Sequence, residues 1–169
     1  MQRILLALDS RGHADAAAGV VRGWLAHDLR VRVVMLYVTE MVRGRFPGPR
    51  LPMSYEREVA QAIEERMMTD VFRPYSSRVQ FIHRNGFSVS QVICATAQEL
   101  RCEMIVLGGS PPRGLWRWFG YDIPKDVLQR ASVSVAVIRP SESKTLVVKH
   151  FRTAKTNTGS VRDEQCPDG

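Results

Sequence analysis

The sequence predicts an α/β fold, an open Rossmann-like sheet of five parallel strands in the order 3-2-1-4-5 with helices on both faces. Three observations carry this reading. Short continuous apolar runs, such as those within Arg3 to Leu8 and Val33 to Val38, mark strands buried on both faces. These runs alternate with longer segments of helical period, so each strand reaches the next by a crossover. Finally, the run Met104 to Leu107 breaks into Gly108 and Gly109 and a loop holding Pro111, Pro112 and Gly114, before a helical pattern resumes near Asp122. A strand, a glycine-bearing loop and a helix in that order can present backbone N–H groups and a helix N-terminus to an anion.

The elements follow in order. Arg3 to Leu8 is the first strand, ended by Asp9, and Asp9 and Ser10 are placed to cap a helix over His13 to Leu29. Ala17, Val20, Val21, Trp24 and Leu25 form its apolar stripe. Arg30 to Val38 is the second strand, and Thr39 to Pro52 a loop rich in glycine and proline. Ser54 is placed to cap Tyr55 to Phe72, where Val59, Ile63, Met67 and Val71 recur at helical spacing and Met67 and Met68 read as core filler. Pro74 stops that helix, and Arg78 to His83 alternates as a strand. His83 has no histidine, cysteine or carboxylate nearby at ligand spacing, so a satisfied or exposed side chain is expected. Asn85 and Gly86 read as a loop, and Ser88 as the cap of Val89 to Arg101, with Val92, Ile93, Ala97 and Leu100 on its apolar face. Met104 to Leu107 is the fourth strand, Asp122 to Arg130 a short helix with Pro124 in its first turn, and Val133 to Ile138 the fifth strand.

Residues 1–140 thus read as one domain, and residues 141–169 as a C-terminal extension. The extension has a short apolar centre, Leu146 to Val148, and a polar remainder expected to be mostly disordered. In the order 3-2-1-4-5, Asp9 and Gly108 end neighbouring strands at the point where the order reverses, where such sheets bind ligands.

Composition narrows the function. The formal net charge is +7, but the basic residues are scattered. Their densest group, Arg43, Arg45 and Arg50, has no interleaved aromatics, so a nucleic-acid partner is not expected. No apolar run is long enough to cross a bilayer, and MQRILLALD lacks the long apolar region of a signal peptide, so a cytoplasmic protein is expected. The three cysteines, Cys94, Cys102 and Cys166, fit no metal spacing and are expected to be reduced. No metal site and no catalytic nucleophile–base pair are expected.

Several stretches together resemble the universal stress protein (UspA) family. They are the first strand ending in Asp9-Ser10, Gly86 before the third helix, EMIVLGG followed by GLWRWFG, and the closing VLQRASVSVAVIRP. The resemblance covers about Gln2 to Arg139. It implies a role in stress survival, ATP or AMP as ligand, and homodimers formed by pairing the final strands, here Val133 to Ile138. Cover of that edge by Leu146 to Val148 in the same chain is the competing arrangement. The resemblance makes Asp9 the acidic residue near the adenosine end and Val38 the position that contacts the base. Gly108, Gly109, Gly114 and Gly120 become the loop glycines.

One feature departs from the family pattern. ATP-binding members carry a glycine, two residues, a glycine, nine residues, then a glycine followed by serine or threonine, and no register of this loop satisfies that spacing. Pro111 or Pro112 stands where a glycine N–H would meet phosphate, and proline has none to offer. Asp122 stands near the serine or threonine position and brings a carboxylate to a helix N-terminus. Arg113, Arg117 and Lys125 can compensate only in part, since exposed loop cations are mostly solvated. Trp116, Trp118 and Phe119 read either as packing against the helix or as a protein-binding patch. The expectation is a binding or signalling module with weak or absent ATP binding. The alternatives are an ATP-binding stress protein with slow hydrolysis, or an enzyme of related nucleotide-binding architecture.

Overall fold

Strand β1, Gln2–Leu8, lies at the centre of the sheet, and Ile4 through Leu8 are all buried. In a computed structural model, residues 2–41, 53–109, 123–139 and 146–149 are described. On one side β1 pairs in parallel with β2 (Val31–Glu40), Ile4 opposite Val33. On the other it pairs in parallel with β4 (Met104–Gly108), Ile4 opposite Met104. Strand β3 (Val79–Gly86) adds outside β2, and β5 (Ser134–Ile138) outside β4. The five parallel strands therefore take the order 3-2-1-4-5.

At the β5 edge the competing arrangement is the one observed. The sheet has a sixth strand, β6 (Leu146–Lys149), antiparallel to β5 with Ile138 opposite Leu146, giving the order β3-β2-β1-β4-β5-β6. The edge of β5 is thus occupied within the chain. Asn85 and Gly86 are not the expected loop; they close the β2–β3 ladder opposite Thr39 and Glu40. Gly86 is needed there because a Cβ on it would stand 2.3 Å from Cγ2 of Val92.

The helices divide between the two faces. Helices α1 (Asp15–His27) and α2 (Met53–Arg66) cover one face, packing Ala17, Val21, Leu25 and Ile63 onto Leu6, Val33 and Met35. Helices α3 (Val89–Glu99) and α4 (Ile123–Arg130) cover the other, packing Ile93, Ala97 and Val127 onto Leu5, Leu36 and Ile105. Ser88 caps α3 by accepting from the Gln91 N–H. Ser54 lies within α2 rather than ahead of it. After Arg66 the backbone widens into a π turn, Met67–Val71, that buries Met67, and Phe72 follows fully buried. Residues 150–169 and residue Asp122 lie outside the described residues.

Arg78 ties these layers together. Its guanidinium donates to the Leu25 carbonyl at 2.7 Å and to the Asp28 carbonyl at 3.0 Å, at the C-terminal end of α1, where the Asp28 carbonyl also accepts the Val31 N–H at 3.3 Å. Its Cζ also lies 5.3 Å from the Tyr75 ring centroid. Arg78→Met keeps most of the aliphatic stem and removes both donors. We expect urea unfolding to show a loss of about 1–3 kcal/mol; an unchanged midpoint would mean that water serves these carbonyls equally well.

Candidate functional site

The carboxyl ends of the strands form the edge on which the site is built. Ala7 lies opposite Leu107 and Leu8 opposite Tyr37, so Asp9 leaves β1 between β4 and β2. Gly108 closes β4 under the β1–α1 turn. A Cβ there would stand 2.1 Å from the His13 carbonyl oxygen and 2.8 Å from the Ala14 Cα, so only glycine lets the turn sit this low. Within the turn Gly12 takes a φ of +80°, which glycine adopts without strain.

Both carboxylate oxygens of Asp9 are engaged by its own chain. One carboxylate oxygen accepts the Ala14 N–H at 3.1 Å, and the other meets Nδ1 of His13 at 2.6 Å. Because a carboxylate only accepts, His13 presents Nδ1–H to it. Gly109 is engaged as well, donating its N–H to the Ile138 carbonyl at 2.7 Å. Val38 sits on β2 and packs toward the α3–α4 face. The structure therefore gathers Asp9, Val38, Gly108 and Gly109 along one edge. Gly114 and Gly120, with Pro111, Pro112, Trp116, Trp118 and Phe119, lie outside the described residues.

A second polar group lies beside the first, on the α1–α2 side. Thr39, 8% exposed, donates its hydroxyl proton to a Glu56 carboxylate oxygen at 3.2 Å. The same hydroxyl lies 2.8 Å from Nε2 of His83 and must accept from it, which fixes the Nε2–H tautomer. The His83 ring also packs against Tyr37, centroids 5.5 Å apart. Burial holds the His83 imidazole below its ordinary range; the Glu56 charge opposes this and Arg57 reinforces it. Burial pushes the Tyr37 phenol up, helped by the Glu56 charge.

Between the β1–α1 turn and α2 lies an open pocket of about 490 Å³, lined by Ser10, Arg11, Gly12, Asp15, Val59, Ala62, Ile63 and Arg66. Its floor is apolar. At its rim Arg66 grips Asp15 through two hydrogen bonds of 3.0 Å. Cys94 and Cys102 are free and buried, and burial raises both thiols. Among the described residues no His, Cys, Asp and Glu side chains gather as a metal site, and no helix is long and apolar enough to cross a membrane.

Sequence reasoning finds Asp9 but neither its His13 partner nor the Thr39–His83–Glu56 group. The only local signal for the first is the spacing of four between Asp9 and His13. An imidazole that is harder to protonate in the folded chain takes its proton preferentially in the unfolded one. The stability it contributes is complete above about pH 6.5 and is lost as the pH falls below that toward its folded value. We expect His83→Gln to flatten this acid limb when urea unfolding is compared at about pH 5 and about pH 7.5. Equal pH slopes for the two proteins would remove His83 as its source.

No curated protein matches the chain by sequence. Solved structures do match its fold. A universal stress family protein from Burkholderia pseudomallei is 23% identical, with a TM-score of 0.55, over 81% of this chain and 95% of its own. A family protein from Arabidopsis thaliana, solved with AMP bound, is 13% identical, with a TM-score of 0.52, over 84% and 94%. A universal stress protein solved in complex with cAMP is 13% identical, with a TM-score of 0.54, over 83% and 98%. At such identities the likeness concerns the fold. The family model described as the Universal stress protein family matches residues 1–139, and the chain therefore belongs to the universal stress protein family.

Proposed function

We propose that this protein is a stress-response binding and signalling module that takes adenine nucleotides weakly and has no dedicated turnover chemistry. The observation that carries this reading is the edge where Asp9, Val38, Gly108 and Gly109 meet at the switch point of a family fold. The AMP and cAMP complexes of two structural neighbours support the ligand class. The phosphate half of the site argues for weakness. The Gly109 N–H is held by β5, Pro111 and Pro112 have no N–H, and Asp122 adds a carboxylate. Asp9, Val38, Gly108, Gly109, Gly114 and Gly120 are the proposed contacts. We place the protein in the cytoplasm, assign the Trp116 and Trp118 stretch to a protein partner, and read residues 141–169 as a C-terminal extension of the 1–140 domain.

We also propose a homodimer through the last strand of the family match, Val133 to Ile138. The match stops at residue 139, before β6, and β6 pairs with the strand that such a dimer would use. Dimer pairing and β6 then compete for one ladder.

Isothermal titration tests the ligand reading. ATP is expected to bind with a dissociation constant well above about 10 μM, with or without magnesium, and AMP to lose less relative to typical sites. A constant at or below about 10 μM for ATP would overturn the weak-site reading. Light scattering tests the dimer. A chain ending at Arg139 should self-associate more strongly than the full chain; two monomeric proteins at micromolar concentration would refute it.

A further inference from the structure

Asp9 is a contact that the proposed function assigns to the nucleoside, and each of its oxygens already accepts one hydrogen bond from its own chain. Oδ1 takes the Ala14 N–H and Oδ2 takes Nδ1 of His13. The first bond belongs to the start of α1 and is part of the fold. The second joins two side chains that remain reachable, His13 being 37% exposed and Asp9 35% exposed. The His13 backbone is fixed. Gly12 makes the turn before it, and Gly108 packs against its carbonyl. Its ring, by contrast, has only side-chain torsions to change in order to leave Asp9.

We propose that His13 is an internal competitor for Asp9, a specificity-determining residue whose Nδ1–H competes with a nucleoside donor for Oδ2 of that carboxylate. The inference rests on the nucleotide reading above and deepens it. A ligand group that reaches Oδ2 must donate a hydrogen bond, so the class selected is a nucleoside offering a hydroxyl or amino donor. Its net gain is only the difference between its own bond to the carboxylate and the one His13 already makes. The closing of this subsite is local to His13, separate from the loop changes at Pro111 and Asp122.

The test uses the full chain and adenosine, which lacks phosphate and so bypasses the loop. Titrations compare the unmodified protein with His13→Ala, Asp9→Asn and the double variant. His13→Ala is expected to bind adenosine about tenfold more tightly, the size of one charge-assisted hydrogen bond. The gain should vanish when Asp9→Asn is also present, because no carboxylate is then freed. If the unmodified protein binds adenosine and His13→Ala binds equally or more weakly, His13 is no competitor and the nucleotide reading stands alone. If no variant binds adenosine at millimolar concentration, both ideas fall. Nitrogen NMR of the histidine side chains gives a readout independent of the variants. In the unmodified protein the His13 Nδ1–H signal should move toward that of a water-exposed imidazole as adenosine saturates; an unmoved signal at saturation overturns the proposal.

Discussion

Gly108 and the backbone of His13 and Ala14 occupy space that any side chain at the end of β4 would claim. The carboxyl edge of the sheet follows from that contact. It lets the β1–α1 turn descend onto β4, which brings the Ala14 N–H to Asp9 and sets the His13 ring beside the same carboxylate. It also anchors the start of α1, whose far end is held by Arg78 through the Leu25 and Asp28 carbonyls. A helix fixed at both ends by polar contacts needs its apolar stripe only to fill the core, and Ala17, Ala18, Val21 and Leu25 do so completely.

The fold is legible wherever burial leaves a local trace. Strands β1 and β2 and the core of β4 are buried on both faces, so their apolar runs hardly alternate and strand type and parallel pairing follow together. Strand β3, at the outside of the sheet, is only partly buried and alternates in sequence. The sixth strand is legible only as an alternative. The apolar centre Leu146 to Val148 and the apolar edge strand before it allow cover within the chain, but four residues are too short a run to decide between that and pairing with a second copy. Asn85 and Gly86 mislead for the opposite reason. The dipeptide is a strong turn signal, but here glycine is required by the closeness of Val92 and not by a turn.

The site divides along the same line. Asp9, Gly108 and Gly109 can be found because each directly ends a strand. The Thr39–His83–Glu56 group cannot, since Thr39 is 44 residues from His83 and 17 from Glu56, and only the β2–β3 ladder and the seating of α2 bring them together. The pairing of His13 with Asp9 is hidden differently. A spacing of four is routine inside a helix, but here it spans the Gly12 turn, before α1 begins.

What unites these groups is that the protein supplies its own partners along the edge where a ligand would supply them. Asp9 has His13 and Ala14, Asp15 has Arg66, the Gly109 N–H has Ile138, and Thr39 sits between Glu56 and His83. A polar edge left unpaired beneath a ligand carries a desolvation penalty that the ligand relieves, and much of a site's affinity and selectivity comes from that relief. An edge already paired carries little such penalty. It is stable when empty, and a nucleotide gains only the excess of its bonds over those it breaks. At Asp9 that balance is visible in the geometry: any donor that reaches Oδ2 meets a carboxylate already holding His13, while Oδ1 holds the start of α1.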